Sequence, residues 1–157
     1  MAEKKQRPAI SKEEYEFLAA FRYALRHFLR FSEKEARRVG MTPQQHQALL
    51  AIKGFPGRDR ITVGELAEQL QIRHHSAVGL INRLVAQELV VREQAEEDRR
   101  QVYVALTEGG EELLRELAAA HKEELKRIKP QLHLLLDQLS GGDEAVMTVL
   151  EGEEASE

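Results

Sequence analysis

Two short helical patterns between Thr62 and Glu88 are separated by only three residues, Gln71-Ile72-Arg73. No other feature of the chain restricts its fold as much. Thr62 and Glu65 have the spacing of a capping box, and Val63, Leu66, Ala67 and Leu70 follow at helical intervals. A second helix is expected over about His74 to Glu88. Two short helices joined by so tight a turn form a helix-turn-helix candidate.

The flanks extend this motif. Leu89 to Glu93 and Val102 to Leu106 are rich in β-branched residues, and the charged stretch Ala95 to Gln101 lies between them. That pattern predicts a β-hairpin with a polar tip. Upstream, Ser11 and Glu14 form a capping box that opens a helix over Lys12 to Arg38, ending at Gly40. Its stripe is Leu18, Phe21, Leu25 and Phe28, widened by Phe17, Ala24 and Phe31. Thr42, Pro43 and Gln45 start the next helix, for which Leu49, Leu50 and Ile52 are the expected core face. Gly54, Pro56 and Gly57 stop it, and Gly54 to Arg60 is expected as a polar loop.

Downstream, Thr107 caps a long helical region with the stripe Leu113, Leu114, Leu117, Ala120, Leu125 and Ile128. Pro130 is expected to kink or divide it, and Leu132, Leu135, Leu136 and Leu139 continue the spacing. Ser140-Gly141-Gly142 is expected to break the chain before a last short helix capped near Asp143, with Val146, Val149 and Leu150 on its face. An acidic tail follows from Glu151. Both ends thus carry more amphipathic helix than one protomer can cover. The expected fold is mainly α: a winged helix-turn-helix with a two-stranded β-hairpin wing, flanked by N- and C-terminal dimerisation helices. The corresponding regions are 1–40 for the first dimerisation helix, 41–107 for the winged lobe, and 108–157 for the last helices and tail.

Composition removes several classes of function. With 157 residues, the chain suits one domain or two small lobes sharing a core. Its 42% hydrophobic content is too high for a disordered chain, and its 32% charged content suits solvated helix surface. No run approaches the roughly 18 apolar residues of a membrane span. Met1 to Arg7 has no apolar segment behind it, so a secretory signal is not expected and a cytoplasmic protein is. The absence of cysteine excludes disulfides, thiolate zinc sites, a cysteine nucleophile and cysteine-based redox sensing. The net charge of −4 counts mildly against a nucleic-acid partner. Its distribution does not, because between Gln69 and Arg92 three arginines face one acid, Glu88.

At about 100° per residue, the second helix of the pair divides into two arcs of roughly 120° each. One holds His75, Ser76, Gly79, Asn82 and Arg83; the other holds Ala77, Val78, Ile81, Leu84 and Val85, with Leu80 between them. The first arc suits a DNA major groove. Arginine can bond guanine through two hydrogen bonds, asparagine can do so with adenine, and serine can bond a base or a phosphate. A glycine there lets the helix backbone approach closely. Arg73, His74 and His75 lie at the amino end, where free N–H groups and the helix dipole favour phosphate. At the hairpin tip, Asp98 is expected to hold one of Arg99 and Arg100, leaving the other for the minor groove. The bland reading of each element is an ordinary solvated surface, and Glu96 and Glu97 beside the tip favour it.

Four stretches in this order and spacing resemble the MarR family of bacterial transcriptional regulators. They are Thr62-Val-Gly-Glu-Leu-Ala-Glu-Gln-Leu, His75-Ser-Ala-Val-Gly-Leu-Ile-Asn-Arg-Leu, Asp98-Arg-Arg and Leu106-Thr-Glu-Gly-Gly. The resemblance spans about Ser11 to Leu150. It implies a homodimer whose paired recognition helices read a pseudo-palindromic operator in double-stranded DNA. It also implies a wing, Asp98 to Arg100, on the minor groove or backbone, and repression rather than activation at the nucleoid. A small-molecule effector that weakens operator binding, an aromatic carboxylate among the candidates, stays open. No feature of the first two helices matches a particular ligand-binding variant.

Other chemistries find less support. His121 and Glu124 lie one turn apart and could share a metal, but His74 and His75 point about 100° apart, and His27, His46 and His133 have no pairing spacing. No metal and no cofactor are expected, although a metal-responsive regulator is an alternative. There is no nucleophile elbow, phosphate-cradling glycine loop or H-E-x-x-H, so no enzyme is expected. A winged-helix module that binds protein would want an exposed apolar anchor on the 73–83 face, and none is there.

Overall fold

Side-chain caps start every helix among the described residues but the one after Arg73, which begins without one. In the computed structural model, which describes residues 9–153 and the side chains of 9–138, the Ser11 hydroxyl accepts from the Glu14 N–H and the Glu14 carboxylate accepts from the Ser11 N–H. This box opens α1, Lys12–Arg38. Thr42 with Gln45 opens α2, Pro43–Lys53, and Thr62 with Glu65 opens α3, Val63–Gln69. Each box satisfies two backbone donors that a helix start leaves bare. Then come α4, His74–Ala86, the strands β2, Val90–Gln94, and β3, Val102–Leu106, and finally α5, Glu108–Glu153.

The sequence reading needs correction at several points. Where the loop read as Gly54 to Arg60 ends, a third strand begins, β1, Arg60–Thr62, which pairs antiparallel with β3. The sheet order is β1-β3-β2, so the hairpin is part of a three-stranded sheet. Ile61 lies opposite Val104, and both are fully buried. A three-residue strand inside a turn-rich segment is too short to show alternation. In α2, Leu49 and Ile52 are buried, but Leu50 is 51% exposed. The buried arc of α2, Gln45, His46, Ala48, Leu49 and Ile52, is about 160° wide at 100° per residue, and Leu50 falls outside it. Leu80 is in the core, not at its margin.

The last helix departs most from expectation. α5 runs unbroken through Pro130 and through Ser140-Gly141-Gly142. Proline removes one hydrogen bond and each glycine adds about 1 kcal/mol of cost. In phase with apolar spacing on both sides, those costs do not stop the helix. The expected cap at Asp143, the face of Val146, Val149 and Leu150, and the tail from residue 154 lie outside the described side chains or residues.

The chain divides into two compact units, Phe31–Glu123 and Met1–Arg30 with Glu124–Glu157. The first is built on Ala36, Met41, Leu49, Ile52, Ile61, Leu66, Leu80, Ile81, Leu84, Val90, Val104, Leu114 and Leu117. This core joins α2, α3, α4, the sheet and the start of α5. In the second unit, Phe17 and Phe21 stack with ring centroids 6.2 Å apart, and Ala24 and Leu135 are buried. Much apolar surface stays bare there: Leu134 is 68% exposed, and Tyr15, Leu18, Tyr23 and Leu136 are all more than half exposed.

Candidate nucleic-acid interface

The turn between α3 and α4 fixes the direction of the second helix. Gln71 takes a left-handed φ of +54°. Its side chain donates to the Glu68 carbonyl at 2.8 Å, and the Ile72 N–H reaches the Ala67 carbonyl at 3.0 Å. These bonds finish α3 and turn the chain, and Ile72 packs against the core. α4 then begins, with the Ser76 and Ala77 N–H groups donating to the Arg73 carbonyl.

α4 buries Ala77, Leu80, Ile81 and Leu84 against the core, while Val78 and Val85 are half-buried. Of the residues singled out from the sequence, Arg73, His74, His75, Asn82 and Arg83 are exposed, and Ser76 and Gly79 are half-buried. The structure therefore brings the expected polar residues onto one accessible side. Gly79 has a specific neighbour: a Cβ there would lie 3.5 Å from the Arg83 guanidinium, which runs back along the bare backbone.

The wing tip differs from the sequence reading in one respect. Asp98 accepts a hydrogen bond from the Arg100 backbone N–H at 3.0 Å, and among the described residues it holds no guanidinium. An aspartate two residues before an N–H in a tight turn favours this local bond. The tip is closed by Ala95 N–H to the Gln101 carbonyl and Gln101 N–H to the Asp98 carbonyl, each 3.0 Å. Arg99 and Arg100 are exposed, with no ion-pair partner among the described residues.

One participant escaped the sequence reading. Arg92, on β2, donates to the Asn82 amide oxygen. A contact between a strand and a helix ten residues apart leaves no local periodicity to detect. Arg58 and Arg60 were likewise assigned to a loop. Arg60 stacks 4.4 Å from the Tyr103 ring centroid and pairs with Glu93 at 3.7 Å, while Arg58 pairs with Glu65.

His46, which has no pairing spacing in the sequence, also meets His121. The His46 and His121 rings lie 4.8 Å apart, centroid to centroid. His121 bonds the Leu117 carbonyl and the Ser32 hydroxyl. His46 is 4% exposed, and its Nδ1 has no partner among the described residues. Burial, and secondarily the His121 ring, hold the His46 imidazole below its usual pKa. His121 and Glu124, one turn apart, have other partners: the Glu124 carboxylate is engaged by Arg127. Among the described residues, no three His, Asp or Glu side chains converge on one point.

Between α2 and α5 lies a cavity of about 290 Å³ with Leu50, Leu114 and Ala118 on its apolar wall and Lys53, Glu111 and Arg115 around it. Glu111, and then Asp59, bond the Lys53 ammonium and raise its pKa. Arg115 has no ion-pair partner among the described residues.

Comparison with known proteins adds four findings. The model of the MarR family matches residues 39–101. The organic hydroperoxide resistance transcriptional regulator of Bacillus subtilis (strain 168) is 31% identical over 113 residues, which is 65% of this chain and 74% of that one. Among solved structures, AbsC, a MarR family transcriptional regulator from Streptomyces coelicolor, aligns over 96% of this chain and 100% of its own, with 25% identity and a TM-score of 0.67. NadR in complex with 4-hydroxyphenylacetate aligns over 86% and 96%, with 24% identity and a TM-score of 0.64.

Proposed function

The chain belongs to the MarR family of DNA-binding transcriptional regulators, and from that premise we propose a homodimeric repressor that occupies a pseudo-palindromic operator. The observation that carries this reading is the exposed side of α4, with Asn82 and Arg83 outward over a buried Leu80-Ile81-Leu84 face. Two such helices related by a dimer axis would enter major grooves about one DNA turn apart. Ser76, Gly79, Asn82 and Arg83 face base edges, and Arg73, His74 and His75 position phosphates. Arg99 and Arg100, on a tip that Asp98 shapes, reach the minor groove or backbone. Residues 41–107 form the DNA lobe, and 1–40 and 108–157 supply the dimer helices. The protein acts by binding and not by catalysis, in the cytoplasm.

An effector site is part of the proposal. The α2–α5 cavity is near the lower end of the ligand-pocket range of about 300–1,000 Å³. Its apolar wall beside the unpaired Arg115 suits a small aromatic carboxylate, and NadR was solved with one. A peroxide response through cysteine is not open to a chain without cysteine.

The test is salt-dependent binding to the DNA upstream of the protein's own gene, with and without 4-hydroxyphenylacetate. Arg83→Ala should weaken specific binding by about 1–3 kcal/mol and leave random DNA little affected. Equal loss on both would make Arg83 a phosphate contact.

A further inference from the structure

The recognition helix does not present Asn82 as a free amide. Arg92 donates to its Oδ1. A guanidinium has five N–H donors and no acceptor, so the amide atom facing it must be the oxygen. The orientation of the amide is therefore set by chemistry. Arg92 is held by the sheet: it lies opposite Val104, a fully buried residue of the central strand. Its neighbour Glu93 projects to the other side of the strand and pairs with Arg60, so it does not compete for the guanidinium.

We propose that Arg92 is a specificity-determining partner of Asn82, which it turns from paired adenine reading toward N–H donation. The paired contact to adenine needs the amide oxygen for N6–H and the amide N–H for N7. With the amide turned toward Arg92 and one of the two lone pairs of its oxygen taken, the N–H edge is the part best placed for the groove. The complementary base edge is an acceptor: guanine O6 or N7, or thymine O4. This inference rests on the DNA-binding reading above and adds the base class read at one position of each half-site.

The test is selection from a duplex library with a randomised centre, using the full-length chain. Wild type should enrich guanine or thymine at one symmetric pair of positions, and Asn82→Ala should erase that preference. Arg92→Met keeps the apolar stem and frees the amide, so it should move the same positions toward adenine by about tenfold. Arg92→Lys, which restores a donor, should move them back. In the Asn82→Ala background, Arg92→Met should change no base preference. Wild-type enrichment of adenine at the Asn82-dependent position overturns the proposal. So does an Arg92→Met variant that binds more weakly yet selects the same bases throughout, because Arg92 would then be a phosphate contact. A wild-type chain that enriches no sequence at low salt overturns the DNA reading itself, an outcome distinct from both. Matching melting temperatures among the variants, expected for two exposed residues, separate these results from misfolding.

Discussion

At the scale of single residues, what the sequence made legible was the side of α4 a residue occupies, not what it touches. The 100° rotation placed Asn82 and Arg83 outward and Ile81 and Leu84 inward, as the structure has them. It could not reveal that Arg92 holds Asn82, or that His46 meets His121, since both contacts depend on chain brought together by tertiary packing. The His46 pair has a pH consequence. Because the folded state lowers the pKa of His46 beneath the ordinary 6.5, the unfolded chain binds the proton more readily. The contribution of neutral His46 is complete above about pH 6.5 and is lost as pH falls from there through the depressed value. Melting temperature should therefore drop on acidification below neutrality, and less so in His46→Leu. An equal slope in both would assign the loss to other groups. Gly79 separates stability from binding. Alanine fits at 3.5 Å from Arg83 and favours helix by roughly 0.5–1 kcal/mol, so Gly79→Ala should melt higher. The same methyl would hold the helix off the groove, so its DNA affinity should fall in a titration.

At the scale of elements, helix starts were legible and interruptions were not. Ser11, Thr42, Thr62 and Thr107 all cap where their spacing indicates, because a cap is settled within four residues. Breaker signals in α5 state only a local cost, and the helix continues past them. β1 was invisible because its partner, β3, is 43 residues downstream at Ile61↔Val104. The join between the wing and α5 yields a sharp expectation. A Cβ on Gly110 would lie 2.1 Å from the Leu89 carbonyl oxygen, which is backbone and cannot swing away. Gly110→Ala should destabilise by about 1–3 kcal/mol, the usual cost of overpacking, in a denaturant titration. An unchanged midpoint would mean that α5 does not start against Leu89.

At the scale of the whole molecule, the apolar surface left bare on residues 12–30 and 124–138 argues for a second copy. Single exposed leucines are ordinary, but Tyr15, Leu18, Tyr23, Leu134 and Leu136 together exceed that pattern. Leu134→Glu places a charge on the most exposed of these and should shift sedimentation toward monomer while far-ultraviolet circular dichroism stays helical. A dimer as tight as wild type would place the contact elsewhere. The bonds around Thr107 bear on how such a molecule could respond to a signal. The Thr107 hydroxyl donates to the Glu88 carbonyl at 2.7 Å and accepts from the Gly110 N–H, while its own N–H holds the Leu89 carbonyl. The first turn of α5 is thereby riveted to the residues that end α4. In the repressor proposed above, a twist in those opening turns would change the pitch at which Arg83 meets a groove, as a key turns with its shaft. In Gly110→Ala that rivet is forced, so operator affinity should fall together with stability.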